Sequence, residues 1–149
     1  MIEMKMNATG AAWLRKNDAC SEGYAWARAK CATLREVWDS ARPDLLIWVA
    51  TREGVLEDRT LWEFACWCAE QALPYWEAVY QDDKRPQQAI EARRGWLRGE
   101  VSDEQLAAAR AAAGAAAWAA AGAAAGDAAG DAQAAWLREH ATPKFPVGA

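Results

Sequence analysis

The chain has 149 residues, enough for one domain with a sizeable core. Its 21 acidic and 17 basic residues leave a net charge of −4, without the basic footprint of a nucleic-acid binder and too mild to imitate the charge of DNA. Ten Trp against two Phe and three Tyr make Trp the main bulky core residue, each ring burying roughly 150–250 Å².

The sequence starts at Met1 with no apolar run behind a basic head, so no secretory signal is read there and a cytoplasmic location is expected. In that setting Cys20, Cys31, Cys66 and Cys68 read as reduced, metal-free core filler. Cys66-x-Cys68 lacks the two-residue gap of a zinc knuckle, and on a helix the pair points two ways.

Residues 1–10 are expected to be extended or frayed. A first helical stretch over Ala11–Lys16 leads to a second near Cys20–Lys30. Thr33-Leu-Arg-Glu36 is a capping box, in which hydroxyl and carboxylate satisfy each other's orphan amides, and its helix closes near Ser40. Pro43 opens the next helix, where its missing N–H costs nothing, and Gly54 closes it.

Thr60-Leu-Trp-Glu63, a second capping box, opens the most apolar helix, from Leu61 to Leu73. Glu63, Glu70 and Gln71 leave it only a narrow polar stripe, so it is expected to be the central, most buried element. Pro74 should kink it or start a new helix through Trp76 to Tyr80. After the polar turn Gln81–Pro86, a helix from Pro86 runs to Arg98 and stops at Gly99.

Ser102-Asp-Glu-Gln105 is the third capping box, with acids placed to favour the helix dipole. Behind it an alanine run reaches about His140, and residues 141–149 read as an extended tail. The 16 residues between Arg110 and Asp127 are all Ala or Gly apart from Trp118. That is short of the ~20 apolar residues of a membrane span, so no membrane role is expected. Gly114, Gly122, Gly126 and Gly130 fall on one slowly rotating stripe suited to close helix packing, and through it to homo-oligomerisation. Nothing alternates convincingly over strand length. The fold class expected is all-α: one single-domain bundle over 1–149 of about six or seven helices, with a central Trp-rich helix and a long Ala/Gly-rich C-terminal helix.

Catalytic equipment is scarce. His140 is the one histidine and sits where it would cap helix carbonyls. No nucleophile elbow, phosphate loop or His-x-Glu metal motif occurs, so no catalytic residue, metal or cofactor is assigned. The richest polar constellation is Asp82, Asp83, Lys84 and Arg85, followed by Arg93 and Arg94. Arg93 and Arg94 fall on stripes that carry apolar residues, so at least one guanidinium should be half-buried and need a carboxylate from Asp82, Asp83, Asp127 or Asp131. One use is an ion-pair network tying a loop to two helices, with Arg93, Asp127 and Asp131 in it. Another is a partner-binding patch of Asp82, Asp83, Arg85 and Arg94, and a third is acid–base or Mg²⁺ chemistry at a carboxylate pair. Trp13, Trp26, Trp38 and Trp136 have the more polar surroundings and are expected to be the exposed tryptophans.

Ala19-Cys20, Glu22-Gly23, Trp26-Ala27 and Thr33-Leu34-x-Glu36-x-Trp38 are followed by Arg42-Pro43-Asp44-Leu45-Leu46-Ile47-Trp48. Phe64-Ala65-Cys66, Leu73-Pro74, Arg85-Pro86, Ala89-Ile90-Glu91, Trp96, Gly99-Glu100 and the alanine-rich end complete the series. In this order the chain resembles the immunity protein 5-like family of polymorphic toxin systems over about residues 11–140; similar proteins are also common as phage products. The resemblance implies a helical protein that acts by binding another protein, a toxin or a bacterial defence effector; the acidic balance speaks against direct nucleic-acid contact and the scarce catalytic equipment against an enzyme. It carries no catalytic residues. The alternative is a structural protein that oligomerises through its Ala/Gly helix.

Overall fold

The computed structural model describes residues 4–123 and 127–149, and the side chains among them outside 114–128. The described residues form eight α-helices and no strand: α1 Ala8–Lys16, α2 Ser21–Lys30, α3 Leu34–Ser40, α4 Pro43–Ala50, α5 Asp58–Val79, α6 Arg85–Leu97, α7 Asp103–Ala123 and α8 Asp127–His140. The protein is therefore all-helical. Its contacts group into two compact units, Met1–Glu57 with Asp131–Ala149, and Asp58–Gly130.

In the first unit, local caps set the helices. Asn7 Oδ1 accepts from Gly10 N at 2.7 Å, and Cys20 Sγ from Gly23 N at 3.4 Å. Thr33 Oγ1 accepts from Glu36 N at 3.2 Å, while the Glu36 carboxylate reaches back one residue further, to Ala32 N at 2.6 Å. Helix α1 closes with Asp18 in the left-handed region at φ 58°, Ala19 N donating to Leu14 O and Asp18 N to Arg15 O.

The buried centre of this unit is Leu34, Val37, Trp38, Leu46, Val49 and Leu137. Trp38 is only 1 % exposed, contrary to the expectation of an exposed ring. Its polar sequence neighbours point elsewhere on the short α3, whose apolar face carries Leu34, Val37 and Trp38 together. Arg138 locks that helix end: Nε donates to Trp38 O at 3.0 Å and Nη2 to Ala41 O at 2.6 Å.

The segments expected to fray are tied down. Met6 is buried, and Lys5 N and Met6 N both donate to Arg28 O. The last residues are extended but anchored, with Lys144 N donating to Val55 O and Leu34 N to Ala149 O. Backbone hydrogen bonding supplies what the composition of these tails did not advertise.

In the second unit α5, α6 and α7 pack on one another. Helix α5 starts at Asp58, so Thr60 lies inside the first turn and is not its cap; the Arg59–Glu63 ion pair at 3.2 Å spans that turn. The helix continues without a break through Pro74 to Val79. Among its residues only Phe64, Cys66 and Ala72 are buried, so it is not the most enclosed element. Two partner helices cover one side of it, and Trp rings are large enough to stay partly exposed even when packed.

Gly99 stands at φ 76° just past α6, with Glu100 N donating to Gly95 O at 2.8 Å. Ser102 and Gln105 make the full reciprocal cap of α7: Gln105 N donates to Ser102 Oγ at 3.1 Å and Ser102 N to Gln105 Oε1 at 2.9 Å. Gly126 lies outside the described residues, as do the side-chain surroundings of Gly114, Trp118, Gly122 and Asp127. Among the described residues no helix is long and apolar enough to cross a membrane.

Candidate functional site

The last turns of α5 build the site. Trp76 and Tyr80, four residues apart and so on one helix face, stack with ring centroids 4.2 Å apart. Tyr75, Val79 and Tyr80 nevertheless remain 58 %, 70 % and 52 % exposed. A contiguous set of exposed large side chains is the kind of surface that marks an interaction site. Beneath it, Trp76 Nε1 is buried with no hydrogen-bond partner among the described residues.

The loop that follows is held by its own side chains. Asp83 N donates to Tyr80 O at 3.1 Å, closing a turn off the end of α5. Arg85 N donates to Asp83 Oδ1 at 3.1 Å, so Asp83 takes up the first amide of α6 although the N-cap position itself is Lys84. The Arg85 guanidinium grips the same carboxylate with both prongs, Nε to Oδ1 at 2.9 Å and Nη2 to Oδ2 at 2.7 Å. These hydrogen bonds hold the Asp83 carboxyl down, to about 2. Pro86, in the first turn of α6, restricts the backbone further.

Arg85 thus neutralises Asp83, and among the described residues Asp82 and Lys84 are the loop charges without an ion-pair partner. Val79, Tyr80, Asp82, Asp83, Arg85 and Gln88 line an open groove of about 730 Å³. Asp82, Asp83 and Arg85 are therefore brought together, beside aromatic residues that the sequence reading missed. The signal available for them was Tyr75 and Val79 at helical spacing just after Pro74, where a helix edge is leaving its neighbours.

Arg94 is placed apart from that group. It lies nine residues beyond Arg85 on α6, about 13 Å along the axis at 1.5 Å per residue. Its Nε donates to Glu70 Oε1 at 2.7 Å, and its Nη2 pairs with the same oxygen. Both side chains are half-buried beside a second groove of about 360 Å³ lined by Leu73 and Ile90. The carboxylate that Arg94 takes is Glu70, and not one of the aspartates expected to serve.

Arg93 lies against two rings. Its guanidinium lies over Trp62 at 5.6 Å and Trp96 at 5.0 Å, and the two rings meet edge to face at 4.8 Å. Trp96 Nε1 donates to Asp103 Oδ1 at 2.7 Å, tying α6 to the start of α7. Asp131 is exposed on α8, and the side chain of Asp127 lies outside the described residues.

Among the described residues no three His, Cys, Asp or Glu side chains group as metal ligands. His140 has Nδ1 3.0 Å from Trp136 O and stacks on the Trp136 ring at 4.7 Å, as a helix-end cap does. All four cysteines are free; burial pushes the thiols of Cys31 and Cys66 up and that of Cys68 to about 11.

No curated protein and no solved structure matches the chain. A family model described as "Imm-5 like putative immunity protein" matches residues 55–142. The match takes in α5, α6 and the exposed loop between them, and leaves the Ala19–Trp48 part of the sequence resemblance outside it. It covers more than half of the chain, which therefore belongs to the Imm-5 like immunity protein family.

Proposed function

We propose that the protein is a non-enzymatic inhibitor that binds and masks another protein, a toxin or a bacterial defence effector, through the end of α5 and the Gln81–Arg85 loop. The observation that supports this most is the exposed set Tyr75, Val79 and Tyr80 beside the braced charges of Asp82, Asp83 and Arg85. Tyr and Arg are the residue types that concentrate binding energy at protein interfaces. A loop fixed by the Asp83–Arg85 fork loses little entropy on docking. Membership of an immunity family supplies the class of partner.

In this reading the apolar side chains carry affinity, while Asp82 and Lys84 orient the partner and Arg85 presents the edge of its guanidinium. Arg94 contributes from the neighbouring groove on α6. The protein acts in the cytoplasm, for a bacterium against a toxin or for a phage against host defence.

The experiment is a pull-down from the native host with the full chain as bait, followed by co-expression of the captured protein with and without this one. Growth inhibition by the captured protein, relieved by the chain, is the expected result. Capture only of copies of the chain itself would favour an oligomerising structural protein instead.

A further inference from the structure

Two cations of the first unit lack a counter-ion. Arg15, in the last turn of α1, and Arg28, in the last turn of α2, make no ion pair among the described residues. Both are turned to a single atom instead. Arg15 Nη1 donates to the Tyr24 hydroxyl at 3.0 Å, and Arg28 Nη1 donates to the same oxygen at 2.7 Å. Arg28 stands four residues after Tyr24, on the same face of α2, with its guanidinium 5.5 Å from the ring centroid. Arg15 reaches the hydroxyl from the neighbouring helix, across the contact between α1 and α2.

The cost of this arrangement falls on Arg28. It is half-buried, and its Nε–H is buried with no hydrogen-bond partner among the described residues. Taking a cation out of water without a counter-charge is unfavourable, and a second cation drawn to the same oxygen makes it more so. The acids nearest in sequence do not relieve it. Glu22 accepts from Arg42 Nη1 at 2.7 Å, and Asp18 is exposed with no ion pair among the described residues. The partial negative charge at the ends of α1 and α2 offsets only a fraction of two full charges. The Tyr24 hydroxyl registers the excess: the hydrogen bond from Arg28, ahead of the charge on Arg15, holds it below the usual phenol range.

A hydroxyl that accepts from two guanidiniums keeps its own proton to donate. The cluster thus gathers N–H groups from two helices and one phenol proton around a point of uncompensated positive charge. We infer that Arg15, Tyr24 and Arg28 form a binding site for a tetrahedral oxyanion of the phosphate class. Guanidinium forks match phosphate oxygens in pairs, and phosphate carries up to two negative charges, the counter-charge that the chain itself withholds. The site lies outside the segment that the family model matches and uses none of the residues of the protein-binding surface proposed above.

Inorganic phosphate is the probe, offered to the full chain at constant ionic strength with chloride and acetate as controls. Binding is followed through the Nε–Hε NMR signal of Arg28, which burial shields from exchange with water. Phosphate should shift that signal saturably, with half-saturation below about 10 mM. It should also raise the melting temperature in step with occupancy. Chloride should leave both readouts in place, and acetate should act at least about tenfold more weakly than phosphate. Phenyl phosphate separates the two sources of the group. Tighter binding than inorganic phosphate identifies a monoester presented by a larger molecule, weaker binding a free ion, and either supports the site.

Two variants test the residues. Arg15→Gln removes one fork from an exposed position and should weaken phosphate at least about tenfold without changing the circular dichroism. Tyr24→Phe keeps the ring beside Arg28, takes away the hydroxyl and should weaken phosphate about threefold or more. Absence of a saturable shift, an equal response to chloride or acetate, or parent affinity in either variant would each overturn the assignment.

Discussion

Arg85 holds Asp83 through two parallel hydrogen bonds of 2.9 and 2.7 Å, and its backbone N–H adds a third contact to the same carboxylate. The pair converts a polar turn into a fixed ledge beside Tyr80. Asp83 therefore shapes the ledge, whereas Asp82, without an ion-pair partner among the described residues, is available to a partner.

This relationship has a signature in pH. The Asp83 carboxyl lies at about 2 in the folded protein, because Arg85 hydrogen-bonds its ionised form. In the unfolded chain an Asp titrates near ~3.9. A group depressed by folding adds stability that is present above the unfolded value and lost as pH falls through the folded one. The window for this pair is therefore about pH 4 down to about 2. Carbon-detected NMR should show Asp83 titrating well below the ordinary aspartate range, and Arg85→Gln should bring it back up to that range. An ordinary aspartate titration at Asp83 in the parent protein would count against the fork.

Trp38 and Trp67 separate the two kinds of tryptophan in the molecule. Trp38 is enclosed, at 1 % exposure, whereas Trp67 on α5 is half-buried. Trp38→Ala should cost ~3–5 kcal/mol, and Trp67→Ala distinctly less. Denaturant titrations of the two variants compare them directly, and a reversed order would restore α5 as the centre of the fold.

Gly95 is required by a neighbour. A Cβ at this position would lie 2.6 Å from Val101 Cγ2, so α6 and the connection to α7 fit only without it. Gly95→Ala should destabilise by ~1–3 kcal/mol despite the better helix propensity of alanine. Adding Val101→Ala should recover most of that loss, because it removes the colliding methyl groups. If Gly95→Ala alone is stabilising, the close approach is wrong.

What the sequence made legible was local. The caps at Thr33 and Ser102, the helix start at Pro43 and the stop at Gly99 involve residues within a turn of each other, and all appear in the structure. Thr60 failed as a cap although its pattern was equally good, since Asp58 and the Arg59–Glu63 pair extend α5 backwards. The partners that tie helices together are distant: Glu70 and Arg94 are separated by 24 positions, and Arg138 reaches Trp38 across 100. Such pairs follow from how helices are rotated against each other, which single-helix periodicity does not determine. The same limit hid Tyr75, Val79 and Tyr80, whose exposure depends on where α6 and α7 stop covering α5.

The central claim is that the end of α5 and its loop form the protein-binding surface. Its most direct test is the affinity of the captured partner for the full chain carrying Tyr80→Ala with Asp82→Lys, measured beside the melting temperature of the same variant. Loss of an exposed Tyr anchor and reversal of a rim charge should together cost ~2–4 kcal/mol, a fall of about 30-fold to 1,000-fold in affinity. Melting should stay within about 3 °C of the parent, because neither side chain is enclosed. Parent affinity in a variant that melts normally would contradict the account.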